Sequence, residues 1–162
     1  MKKIKEDMIN AYDKDYIYES SGTLARMFFF GYHDMGLEIQ EIYDMFVDTI
    51  IAHEFGAGNP KFTVGMSGAE LFSQINFYKN GEYIYVDGIP SFRQDKIDMS
   101  YWVGWILAYY QWNRNIEFIE FRNYGIPMEK FIAAYPAMHQ CSLEWSFEKI
   151  DNWFKERGAV LP

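Results

Sequence analysis

Hydrophobic positions recur along this chain with the period of α-helices and are punctuated by helix-capping and helix-stopping residues. From Ser20 or Ser21, either of which can cap a helix, Leu24, Phe28, Gly31 and Met35 follow one face. Gly36 then ends the helix in a left-handed conformation. A second helix begins near Leu37. Its apolar face is Ile39, Ile42, Tyr43, Phe46 and Ile50, with Glu38, Glu41, Asp44 and Asp48 on the opposite side. Gly56-Ala57-Gly58-Asn59-Pro60 breaks the pattern, and a loop runs to about Gly65. Ser67-Gly68-Ala69-Glu70 has the form of a capping box and starts a third helix to Lys79.

After Asn80-Gly81, Tyr83-Ile84-Tyr85-Val86, Asp87-Gly88 and Ile89-Pro90-Ser91-Phe92 predict a small β-hairpin, with Pro90 confining the second strand to an edge. Asp98 or Ser100 starts a fourth helix, Tyr101 to Trp112, which is apolar nearly all round and so belongs inside a bundle. Its Gly104 and Ala108 form a smooth stripe that lets a neighbour come close. Trp102, Trp105 and Tyr109 are expected on one open side, with Tyr101 and Trp112 toward other faces. Ile116 to Tyr124 predicts a short helix ended by Gly125. Pro127 opens another to Tyr135, and Ser142 caps the last, through Trp145, Ile150 and Phe154 to Gly158. The expected fold is mainly α: one domain over 1–162, a bundle of six or seven helices with one β-hairpin, residues 1–15 flexible and 80–98 a hairpin insertion.

Composition narrows the function. The chain has 162 residues and a net charge of -8, which disfavours direct binding to nucleic acid phosphates or to anionic membranes. The acidity is uneven: residues 16–56 hold one base, Arg26, against seven acids. The single cysteine, Cys141, rules out an internal disulfide and fits a reducing, cytoplasmic compartment. The start lacks the apolar stretch of a signal peptide, and the longest apolar run, Tyr101 to Tyr110, is too short to span a bilayer.

Catalytic signatures are missing. His53-Glu54 is half of a zinc-protease motif whose second histidine would fall at position 57, which is Ala57. Gly56-Ala57-Gly58 follows a helix and lacks the third glycine of a dinucleotide fingerprint. Cys141 near His139 lacks the spacing of an aligned nucleophile pair. No catalytic residue, metal ligand or cofactor is assigned.

Two features point to a macromolecular partner. Aromatic residues make up 20% of the chain, 14 Phe, 13 Tyr and 5 Trp, more ring surface than a compact core of this size readily absorbs. The acidic helix face offers complementarity to a basic partner. The residues expected to bind are Glu38, Glu41, Asp44, Asp48, Tyr83, Tyr85, Trp102 and Tyr109.

The run Tyr101-Trp102-Val103-Gly104-Trp105-Ile106-Leu107-Ala108-Tyr109-Tyr110-Gln111-Trp112, with Ser21-Gly22-Thr23-Leu24-Ala25 and Gly58-Asn59-Pro60-Lys61 before Gly65-Met66-Ser67-Gly68, resembles an uncharacterised bacterial family common in Firmicutes. Members lie beside small toxin and antitoxin genes, so the resemblance implies an antitoxin or immunity role; it brings no fold, ligand or catalytic residue, and Asn80 to Asp98 has no counterpart in it. The leading reading is a non-enzymatic inhibitor of a bacterial or mobile-element conflict system that binds a toxin or defence enzyme, with homodimerisation as a further option. Two alternatives stand beside it. One is an acidic, phage-type inhibitor that mimics nucleic acid in a defence nuclease; the other is a small-ligand protein or enzyme with an aromatic pocket.

Overall fold

The computed structural model describes residues 11–84 and 97–162, which are mainly helical, with no strand among them. After a 3-10 turn at Lys14–Tyr16, capped by Asp13, the helices are α1 (Ile17–His33), α2 (Ile39–Val47), α3 (Ile50–Gly56), α4 (Pro60–Thr63) and α5 (Gly68–Asn80). They continue with α6 (Met99–Arg114), α7 (Glu120–Asn123), α8 (Glu129–Met138) and α9 (Leu143–Lys155). The count exceeds the expected six or seven because one expected helix divides and the single turn α4 forms within an expected loop.

Three local corrections have clear causes. Ser20 and Ser21 do not cap α1; they are buried within it, and the Ser20 hydroxyl donates to the Ile17 carbonyl and bonds the Tyr12 hydroxyl (2.8 Å). The 3-10 turn delivers the chain into the helix one turn earlier than those serines suggest. The expected second helix divides at Asp48-Thr49, where Thr49 is extended and its hydroxyl donates to the Phe46 carbonyl (2.9 Å). Ile50 therefore opens α3 and is exposed, off the apolar face assigned to it. Within the expected loop to Gly65, Asn59 caps α4, with Pro60 in its first position.

Other signals act as read. The Ser67 hydroxyl accepts the Glu70 amide (3.1 Å) and the Glu70 carboxylate accepts the Ser67 amide (3.4 Å), starting α5, which Gly81 ends at φ +81°. Asp98 caps α6 by accepting the Ser100 and Tyr101 amides, and Ser142 caps α9. The expected β-hairpin is not found among the described residues: Ile84 instead lies on α5, its amide donating to the Ser73 hydroxyl and its carbonyl accepting from it (both 2.9 Å). Tyr85 to Phe92 fall outside the described residues, as does most of the 1–15 segment expected to be flexible; Tyr12, within it, is fixed by Ser20 and by the Trp112 indole N–H on its carbonyl (2.8 Å).

The centre of the fold is the antiparallel pair of α1 and α6. A Cβ on Gly104 would come within 2.6 Å of the Leu24 carbonyl oxygen, and one on Gly68 within 2.5 Å of the Arg26 backbone, so only glycine allows α6 and α5 to approach α1 this closely. One cluster of buried residues, including Leu24, Phe28, Phe46, Phe72, Leu107 and Phe131, runs through the helices. Each such side chain stabilises the fold by about 1.5 to 3 kcal/mol when fully buried.

Polar ties complete it. Asp151 of α9 holds Arg114 of α6 through two bonds (3.0 and 2.9 Å) and accepts the Tyr110 hydroxyl (2.8 Å). The Tyr43 hydroxyl of α2 donates to the Phe118 carbonyl (2.8 Å) and accepts the Arg122 amide (3.0 Å), which fixes the chain around α7. Burial pushes both phenols well above their ordinary value.

Candidate protein-binding surface

The acidic row on α2 is present in space but not as an open row of charges. The Asp48 carboxylate takes Lys79 of α5 (2.8 Å) and Arg122 of α7 (2.8 Å), and Asp44 stands 3.7 Å from the same Arg122 guanidinium. Hydrogen bonds from Lys79 and Arg122 hold the Asp48 carboxyl below its ordinary range. The Glu41 carboxylate turns back to accept the Glu38 amide at the start of α2 (3.2 Å). Glu38 and Glu41 are exposed. Several acids act as caps: Asp13, Glu41, Glu70 and Asp98 each accept backbone amides at helix or 3-10 starts, where negative charge complements the helix dipole. A substantial share of the negative charge therefore serves the architecture.

The aromatic candidates separate. Trp102 is 8% exposed and packs on Phe131 (6.4 Å) and Tyr135 (5.6 Å) of α8, so it lies inside and not on an open face. The rings that share the outer side of α6 are Tyr101, Trp105, Tyr109 and Trp112, all half-buried. This corrects the grouping expected from the sequence, since positions 101, 105, 109 and 112 lie on one helical stripe. Tyr109 stays on this outer side, touching Trp105 (5.3 Å) and Phe147 of α9 (5.6 Å).

Tyr83 is 59% exposed and stacks parallel on Phe77 at 4.0 Å, with Tyr78 6.1 Å from Phe77. Phe77 and Tyr78 are 38% and 50% exposed. The fold-back of Glu82 to Ile84 along α5 brings Tyr83 there: Asn76 donates to the Glu82 carbonyl (2.8 Å) and Ser73 holds Ile84. Sequence reasoning did not include Phe77 or Tyr78. Their adjacency gave no signal, because consecutive helical residues are both buried elsewhere in the fold, as at Phe28 and Phe29 or Leu71 and Phe72. Tyr85 lies outside the described residues.

The three histidines have separate local partners. His33 bonds Asp98 (2.5 Å), His53 bonds Glu117 (2.7 Å) and His139 bonds the Tyr135 carbonyl (2.5 Å). The exposed Cys141 thiol donates to the Ala137 carbonyl (3.3 Å). Among the described residues no group of three or more His, Cys, Asp or Glu is placed to hold a metal ion, and no helix is long and apolar enough to cross a membrane.

Comparison with family models, with curated proteins and with solved structures finds no match. The surface chemistry therefore carries the functional reading alone.

Proposed function

We propose that this is a non-enzymatic, cytoplasmic protein that binds and inhibits a protein partner, in the manner of an antitoxin or immunity protein. The observation that carries the reading is the adjacent, exposed cluster of Phe77, Tyr78 and Tyr83 at the end of α5. Exposed rings grouped in this way are typical anchors of protein interfaces, where Tyr, Trp and Phe are enriched and contribute disproportionately. The charged group Lys79, Asp48 and Arg122 adjoins α5 and supplies a polar rim. The nucleic-acid-mimic alternative draws less support, since two of its four carboxylates, Asp44 and Asp48, face bases of the same chain.

The test is co-expression with the product of a toxin-type neighbouring gene. Growth is restored by the wild type, the two proteins co-purify, and the double substitution Phe77→Ala with Tyr83→Ala weakens the complex about tenfold or more at unchanged fold. Toxicity that persists with the wild type, or a complex indifferent to the double substitution, overturns the reading. A complex that instead weakens steeply with salt points to mimicry of nucleic acid.

A further inference from the structure

Ahead of α1, one anchored residue is joined to the helix by an exposed link. The anchor is Tyr12, which is pinned to three elements. Its hydroxyl shares a hydrogen bond with the Ser20 hydroxyl of α1 (2.8 Å), its carbonyl accepts the Trp112 indole N–H of α6 (2.8 Å), and its ring meets the Trp112 ring at 6.3 Å and 45°. It also lies against the turn after α3: a Cβ on Gly58, which stands at φ +84°, would come within 3.0 Å of the Tyr12 ring and 3.2 Å of the Ala11 carbonyl oxygen. Burial pushes the Tyr12 phenol up to about 12. Between this anchor and the buried Ile17, by contrast, Asp13, Lys14, Asp15 and Tyr16 are all exposed.

Little of the fold opposes release of this segment. Every residue of the link already faces water, so moving it uncovers no core. The polar groups that Tyr12 engages are not stranded when it leaves. Ser20 keeps its donation to the Ile17 carbonyl (3.2 Å), and the Tyr12 hydroxyl and carbonyl are carried into water by the segment itself. Trp112 is only half-buried, so its N–H turns to water as well. That ring also touches Tyr109 (6.5 Å), which places the Tyr12 anchor over the end of the α6 ring row.

We propose that residues 11–16 are a strap that opens as a unit from an otherwise folded helical body and bares Trp112 at the end of the α6 ring row. Closed, it covers the indole and ties α1, α6 and the turn after α3 together. Open, it leaves α1 and α6 packed through Leu24, Phe28 and Leu107. The position of one short segment thus decides whether this aromatic end of α6 faces water.

Hydrogen exchange followed by NMR on the full chain, at urea concentrations below the unfolding transition, tests this. Trp112 supplies the probe, since the strap's carbonyl holds its indole N–H, and the exposed Trp145 serves as the reference indole. The Trp112 indole exchanges more slowly than that of Trp145, and its rate stays flat as urea rises, because opening the strap exposes little surface. The Leu107 amide, inside α6, accelerates steeply with urea because only global unfolding releases it. Tyr12→Phe removes the bond to Ser20 and speeds exchange of the Trp112 indole about fivefold. Three results overturn the proposal: a Trp112 indole as fast as that of Trp145, which leaves no closed strap; a Trp112 rate that climbs with urea as steeply as that of Leu107, which leaves no separate opening; or an indole indifferent to Tyr12→Phe. None of these bears on partner binding through Phe77, Tyr78 and Tyr83.

Discussion

Gly104 of α6 faces Leu24 of α1 at a separation that leaves no room for a side chain, 2.6 Å from a would-be Cβ to the Leu24 carbonyl oxygen. The obstacle is backbone, which cannot swing aside. Gly104→Ala therefore forces α1 and α6 apart and destabilises the fold by about 1 to 3 kcal/mol, read as a lower midpoint in urea denaturation. An unchanged midpoint would show that the helices separate without loss.

Asp151 is the shared acceptor for Arg114 and Tyr110, and its side chain is only 13% exposed. Asp151→Ala leaves a partly buried guanidinium and a buried hydroxyl without that acceptor, at a cost of about 3 kcal/mol, whereas Tyr110→Phe removes one bond at about 1 kcal/mol. Thermal melts of both variants check the order; equal shifts would sink it.

The Asp48 carboxyl is held below its ordinary value by Lys79 and Arg122. The stability it contributes is present above the ordinary carboxylate range and is lost as pH falls through the depressed value. The group is partly open to water, so Asp48→Asn costs at most about 1 kcal/mol at neutral pH, and the gap between wild type and variant closes under strongly acidic conditions. Denaturation series at several pH values measure that gap.

Alkali acts through the phenols. Burial raises Tyr12 from 10.0 to about 12, and raises Tyr43 and Tyr110 further. Folded protein keeps these protons where the unfolded chain releases them, so stability is intact below about pH 10 and declines as pH climbs beyond it. Ultraviolet titration of phenolate records exposed phenols first and the buried group only with unfolding. A single smooth titration of all tyrosines, with the fold still intact, would contradict this.

The sequence was most legible where one residue does one local job. The Ser67 and Glu70 pair, the Asp98 and Ser142 caps and the Gly81 stop all act where their spacing places them. It misled where local cues have two meanings. Ser20 and Ser21 look like caps but are small polar residues inside a tight helix contact, and the apolar period continues across Asp48-Thr49 although the backbone does not. The acidic row was visible as residues; its neutralisation was not, because Lys79 lies 31 positions and Arg122 lies 74 positions from Asp48. Tyr83 was legible as an exposed ring, but its Phe77 platform depends on the Ser73 and Asn76 contacts that fold the chain back onto α5.

The Tyr43 hydroxyl serves the Phe118 carbonyl and the Arg122 amide at once. One oxygen atom thus rivets a stretch with little regular structure to the flank of α2, and the Arg122 side chain returns to the same helix at Asp48. When α2 loosens, both backbone groups lose their partner together, so the expected outcome is that the two segments open in concert.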